Sequence, residues 1–218
     1  MLQTLNSLLF PTKHICLFCK EKTGNAEGIC KDCYGNLEIL NREIEMNSPY
    51  IKKIYYSLSY NRFTREMIKN YKYNGKNYFY KPFGLIMVKT IKNKNIDKNI
   101  DGVIYVPVHR RKEALRGYNQ AELLARYISE NLNKPLLCNN LIKIKWTKEQ
   151  SHSNKIDRMI NLKNSFQIRN ANLIEGKKLL LVDDIITTGA TMEECSKVLI
   201  NAGAKEIIGL ALTSSKNN

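Results

Sequence analysis

Three observations predict an α/β fold, a parallel sheet with helices on both faces, preceded by a small cysteine-bearing unit. Apolar runs that read as buried strands recur at 102–107, 179–183 and 206–212. Stretches with helical spacing of apolar residues follow the first two, at 114–131 and 190–202, and strands that alternate with helices imply parallel pairing. Ahead of them stand two C-x-x-C pairs, Cys16/Cys19 and Cys30/Cys33. At 218 residues and 43% hydrophobic, the chain is long enough for one such domain plus an appendage.

The N-terminal stretch Met1 to Pro11 is mildly apolar, without a charged leader or a small-residue cleavage site. It reads as a short amphipathic helix packed on the body and not as a signal peptide. No apolar run approaches the ~20 residues needed to cross a bilayer, so no transmembrane segment is expected. These readings point to a cytoplasmic protein.

Each C-x-x-C pair can present two thiolates to one metal through a tight knuckle, and Gly24 and Gly28 lie between the pairs where a compact hairpin needs turn residues. Four sulfurs suit a structural, tetrahedral Zn²⁺. The alternatives are two disulfides, disfavoured without an export signal, or a redox pair, disfavoured without a surrounding βαβ pattern. His14 is a spare neighbour. Cys138 and Cys195 read as ordinary buried thiols, Cys195 on the apolar face of its helix. Residues 1–45 are assigned to the N-terminal helix and zinc ribbon, and 50–218 to the main domain.

Formal charge is +15. Between Lys52 and Lys98 there are twelve Lys or Arg against two acids, Glu66 and Asp97. They are interleaved with Tyr55, Tyr56, Tyr60, Phe63, Tyr71, Tyr73, Tyr78, Phe79 and Tyr80. Positive charge attracts polyanions and aromatic faces stack on unpaired bases, which makes single-stranded DNA a candidate partner. The plainer alternative is half-buried tyrosines beside a solvated lysine face, in a chain rich in Lys, Asn and Ile throughout.

Asp101-Gly-Val-Ile-Tyr-Val-Pro107-Val-His109 reads as a buried strand ended by Pro107 and running into a basic loop, Arg110, Arg111 and Lys112. Arg116-Gly-Tyr-Asn-Gln120 follows as a polar loop capped into the helix that carries Leu123, Leu124, Tyr127, Ile128 and Leu132. In the second half, Leu179-Leu-Leu-Val182 ends in Asp183 and Asp184, then Thr187-Thr188-Gly189-Ala190-Thr191 opens a helix. A helix N-terminus after a strand is a natural anion site. Gly189 lets the backbone close around a phosphate, the threonines add hydroxyl donors, and the two carboxylates can accept from a diol. A phosphate site beside a diol site describes a ribose 5-phosphate. The plainer alternative is a βα turn capped at Thr188 or Thr191.

The acid pair, Thr-Thr-Gly core and closing threonine resemble the phosphoribosyl-pyrophosphate (PRPP) motif of type I phosphoribosyltransferases. Val106-Pro-Val-His109, Arg116-Gly-Tyr-Asn-Gln120 and Trp146-Thr147-Lys-Glu-Gln150, with Arg158 and Asn161 downstream, are similar to the ComF family of phosphoribosyltransferase-like proteins, which the four-cysteine ribbon also fits. The resemblance runs from Cys16 to the strand at 206–212. It implies a type I phosphoribosyltransferase-like core over 101–218 with 50–98 as candidate hood. It also implies PRPP or a related phosphoribosyl ligand with Mg²⁺, and a role in natural transformation beside the DNA-uptake machinery at the inner membrane surface. Asp183 and Asp184 would then orient the ribose, Thr187 to Thr191 hold the 5′-phosphate, and His109, Arg110, Arg111, Lys112 and Arg116 face pyrophosphate. Lys145, Thr147, Gln150 and Arg158 would belong to a flap over the site. Lys145 stands where the family often has arginine, which keeps the charge but loses the bidentate fork. Enzymatic phosphoribosyl transfer is the candidate activity; the competing readings are a metabolic phosphoribosyltransferase acting on a small nitrogen acceptor and a PRPP-sensing regulator.

Overall fold

The computed structural model describes residues 15–24, 28–146 and 161–215. The expected helix at 1–11, His14, and Thr147, Gln150, His152 and Arg158 of the flap lie outside them. Among the described residues no helix is long and apolar enough to cross a membrane.

A five-stranded sheet organises the chain in the order β1-β2-β7-β6-β3, with β1 Ile39–Glu45, β2 Lys53–Leu58, β3 Gly102–Tyr105, β6 Lys178–Ile186 and β7 Glu206–Ser214. Only the β1–β2 pair is antiparallel; β2–β7, β7–β6 and β6–β3 are parallel. A separate antiparallel pair joins β4 Leu141–Lys143 to β5 Phe166–Ile168. Leu179 to Val182 of β6 are each 0% exposed, as expected of a parallel strand covered on both faces. Alternation divides them: Leu180 and Val182 pack into one core, Leu179 and Leu181 into the other.

A short helix, α1 Lys31–Asn36, adds Cys33 to the first core, which is covered by α2 Arg62–Tyr73, α3 Tyr80–Asn93 and α5 Gln120–Leu132; the second is covered by α6 Ala190–Asn201. Helix α2 is capped by Asn61, whose side chain accepts from the Thr64 amide at 2.9 Å, and buries Thr64, Met67, Ile68 and Tyr71. That spacing makes one apolar stripe, and packing of the stripe stabilises the helix. Gly84 brings α3 against α5: a Cβ there would meet Tyr127 Cδ1 at 2.5 Å.

The segment expected to form one helix over 114–131 is two: α4 Arg110–Arg116 and α5. Gly117, at φ +82°, ends α4 in the left-handed conformation, and Asn119 restarts the chain by accepting from the Ala121 amide at 3.0 Å. Arg110, Arg111 and Lys112 therefore open a helix and are not a loop; His109 caps it through Nδ1, which accepts from the Arg111 amide. The strand expected over 102–107 ends at Tyr105, just short of Pro107. Part of the 50–98 segment, β2, lies inside the main sheet, while α2 reaches the cleft described below. Of its nine named aromatics only Tyr73 is exposed; Tyr56, Tyr71 and Phe79 are fully buried. Cys195 is buried as expected, whereas Cys138 is exposed, because it follows the short 136–137 segment out of the sheet edge instead of entering the core.

Candidate functional site

At the carboxyl ends of β3 and β6 lies a cleft of about 800 Å³. Ligands in α/β sheets gather at this end because helix N-termini and loop amides converge there. Strand β6 carries Asp183 and Asp184 to its rim. Asp184 is 7% exposed and Asp183 half-buried. The Asp184 amide donates to Asp183 Oδ1 at 2.8 Å, which fixes the first carboxylate against its own chain. Burial and the adjacent Asp184 push the Asp183 carboxyl up to about 7, against the opposing pull of Lys72, the Asp184 amide and Lys112.

After the acids the chain turns at Gly189, φ +84°, which is the N-cap of α6. The cap is neither Thr188 nor Thr191. Thr188 Oγ1 accepts from the Ala190 amide at 3.4 Å, and Thr187, Thr188, Ala190 and Thr191 line the cleft. The expected phosphate loop is thus a left-handed turn leading into a twelve-residue helix, whose first residues Ala190 and Thr191 line the cleft.

From the β3 side come His109, Lys112 and Arg116. Arg110 and Arg111 are exposed and do not line the cleft, because consecutive positions in the first turn of α4 point in different directions. His109 is held below its usual range by partial desolvation and by Arg110, Arg111 and Lys143, and its ring meets Trp146 edge-on at 5.4 Å. Arg116 is committed to neighbours: Nη2 donates to Tyr73 Oη at 2.9 Å and Nη1 to Gln120 Oε1 at 3.3 Å. Lys145 lies outside the cleft and donates to the Lys163 carbonyl at 3.0 Å.

Residues that sequence reasoning did not assign to the site complete the lining: Tyr60, Arg65, Lys72 and Tyr73, with Asn119, Gln120 and Lys143. Lys72 Nζ pairs with Asp184 Oδ1 at 2.8 Å, with side chains 15% and 9% exposed. Burial works against the charge on Lys72, but Asp184 outweighs it and holds the ammonium above its usual value. Lys72 lies four residues after buried Ile68 and seven after Arg65, on one side of α2, a spacing that marks a helix side but not a site. What the spacing lacked was which strand end that side would face. Two tyrosines settle this. Tyr71 Oη donates to the Gln120 carbonyl at 2.9 Å, Tyr118 Oη donates to the Tyr71 carbonyl, and so α2 is fastened to the start of α5. Asn119 Nδ2 in turn donates to the Val106 carbonyl at 3.1 Å, which ties that start to the end of β3.

The four cysteines form a second centre. Their sulfurs all lie within 4.8 Å of one another, and Cys19 Sγ and Cys30 Sγ are 3.7 Å apart. A tetrahedral Zn²⁺ with bonds of ~2.3 Å separates its sulfurs by about 3.8 Å, whereas a disulfide needs ~2 Å. All four are free thiols. Burial raises Cys16, but amides of Cys19, Cys30 and Phe18 prevail and bring it to about 7; Cys33, more dominated by burial, is pushed well up. The donor set and spacing fit one metal ion. Phe18, inside the knuckle, packs on Phe79 at 4.8 Å and Phe83 at 5.4 Å, and Phe83 on Tyr71 at 5.7 Å, so the cluster buttresses α2.

The chain is similar to several known proteins. The phosphoribosyl transferase domain family matches residues 120–218. Competence protein F of Haemophilus influenzae is 37% identical over 123 residues, 56% of this chain and 54% of that protein. Competence protein ComFC of Bacillus subtilis is 27% identical over 192 residues, 88% of this chain and 74% of that protein. DNA utilization protein YhgH of Salmonella typhi is 30% identical over 107 residues, 49% of this chain and 46% of that protein. The matched part thus spans about half the length of the first and third of these relatives. With the mostly parallel sheet and the four-cysteine cluster, these matches support a ComF-like protein with a phosphoribosyltransferase fold.

Proposed function

We propose that the cleft binds PRPP or a related phosphoribosyl ligand, and that the protein serves the handling of incoming DNA at the inner side of the membrane. The observation that carries the ligand is the convergence of the acid pair, the threonine turn and the basic end of β3 on one cavity of about 800 Å³. In this reading the α6 amides and Thr187, Thr188 and Thr191 hold the 5′-phosphate. Asp183 and Asp184 accept from the ribose hydroxyls and offset positive charge that develops on the ring. Lys112 and Arg116 face the pyrophosphate, which leaves C1 if an incoming nitrogen attacks there. Asp183 and Asp184 offer carboxylate oxygens that would suit a hydrated Mg²⁺ brought with the ligand, and the ion would offset negative charge on the leaving group. The cysteine centre is proposed to hold a structural Zn²⁺ through Cys16, Cys19, Cys30 and Cys33.

The DNA role rests on the names of the relatives and on the charge of the chain. With Tyr73 alone exposed among the 52–98 aromatics, contact with single-stranded DNA is proposed to be mainly electrostatic, through lysines and arginines of that segment, and to weaken steeply with salt. Calorimetric titration with PRPP, with and without Mg²⁺, while pyrophosphate release is assayed, tests the ligand. Binding is expected in the native chain and is expected to be absent from the folded Asp183→Asn, Asp184→Asn double variant; equal affinity in that variant would end this reading. Pyrophosphate release on adding a nitrogen acceptor would make the protein a transferase, and binding without release a sensor or scaffold.

A further inference from the structure

The geometry points to Lys72 as a built-in counter-cation of the acid pair: a positioning residue that fixes the Asp184 carboxylate as an acceptor for a ligand's vicinal hydroxyls and opposes protonation of its neighbour Asp183. The inference rests on the phosphoribosyl reading above and names a residue that the sequence motif does not contain.

Two adjacent carboxylates at a half-buried strand end repel one another, and one of them tends to keep a proton. A protonated carboxyl donates where a diol needs an acceptor. Lys72 Nζ sits 2.8 Å from Asp184 Oδ1, and both residues line the cleft instead of being sealed in the core. The lysine lies in the last turn of α2, where the negative end of the helix dipole favours a cation. Its placement is secured from both sides. Tyr71, next in the chain, is hydrogen-bonded to the Gln120 carbonyl, and Tyr118 donates back to the Tyr71 carbonyl. Other charged or titratable groups act on the same acids: Tyr71 from α2, Lys112 from α4 and Cys195 from α6. Arg116 acts on Lys72 itself. Lys72 is in direct contact with the pair, through Asp184 Oδ1. A tether between α2 and β6 that served stability alone would gain little from an ion pair, since desolvation offsets much of the attraction.

The test uses the full, metal-loaded chain and two probes, ribose 5-phosphate and inorganic phosphate, titrated calorimetrically into native protein, Lys72→Met and Lys72→Arg. Lys72→Met is expected to lose at least tenfold in affinity for ribose 5-phosphate with little change for inorganic phosphate, and Lys72→Arg to recover most of the loss. Unchanged ribose 5-phosphate affinity in Lys72→Met overturns the inference, as does an equal loss for both probes. Carboxyl NMR titration of labelled aspartate needs no ligand: the Asp183 midpoint should rise by about one unit or more in Lys72→Met, and an unmoved midpoint also overturns it. If Lys72→Met does not fold, Lys72→Gln carries the same comparisons. Failure of the native protein to bind ribose 5-phosphate would instead count against the phosphoribosyl reading, with the titration still deciding the role of Lys72.

Discussion

The β6–α6 turn draws its ligand-facing groups from one uninterrupted stretch, Asp183 to Thr191. The rest of the cleft is gathered from Arg65, Lys72 and Tyr73 on α2, Lys112 and Arg116 on α4, and Gln120 on α5. The turn needs only a strand, a left-handed glycine and a helix start. The gathered part needs the ribbon to press on α3, α3 on α2, and α2 on the first turn of α5. A site assembled in this way should fail in its distributed half before its contiguous half, since each packing contact is one more place to loosen.

The strongest way to break the comparison is Cys16→Ser. Tightly bound Zn²⁺, measured by elemental analysis, is expected to fall from one per chain to none, because a structural site's metal affinity is part of its folding energy. Hydrogen exchange should then quicken in α2 and α3 while the amides of α6 stay protected. Equal loosening of α6 would contradict the division drawn here, and a retained metal would argue against these four ligands. Next in size is Asp184→Ala, which strands Lys72 without its partner. It is expected to cost about 2–4 kcal/mol in urea unfolding, a buried-pair value lowered for the solvent at the cleft. A cost below about 0.5 kcal/mol would mean that the pair is as weak as a surface bridge.

Asp183 sharpens the comparison through pH. Its carboxyl is raised to about 7 in the folded chain, above its unfolded value. Between roughly pH 4 and 7 the native state therefore holds a proton that the unfolded state has released, so this residue makes stability fall as pH rises, with no further loss above about 7. Asp183→Asn is expected to gain roughly 2 kcal/mol relative to native at pH 8, about half the full linkage value because the carboxyl is only half-buried, and almost nothing at pH 3. A gain that is the same at both values would contradict the raised carboxyl. The smallest expected effect is Gly84→Ala, where the new methyl would meet the Tyr127 ring, and better helix propensity would offset part of the overpacking to leave a cost of about 1 kcal/mol. Unchanged thermal stability there would show that α3 and α5 can part without loss.

Much of the fold was legible because its signals are local. The three parallel strands and the helix at 190–201 follow from apolar runs and spacing. The polar stretch Arg116 to Gln120 was legible as a loop leading into a helix, but the short helix Arg110–Arg116 before it was not, because it has no buried residue and so leaves no apolar stripe in the sequence. The 52–98 aromatics looked like a stacking surface because composition reports ring count and charge, whereas burial depends on which face meets the sheet.

By itself the sequence determined the acid pair, the threonine turn and the four-cysteine set, since each is a short stretch whose residues share one local geometry. Tertiary structure alone decided that Arg110 and Arg111 point away from the cleft while Lys72, more than a hundred residues before Asp184, becomes its partner. The reason is that an ion pair between distant residues is fixed by how two elements pack, and here that packing is set by Tyr71, Tyr118 and Gln120 and not by any pattern around the lysine.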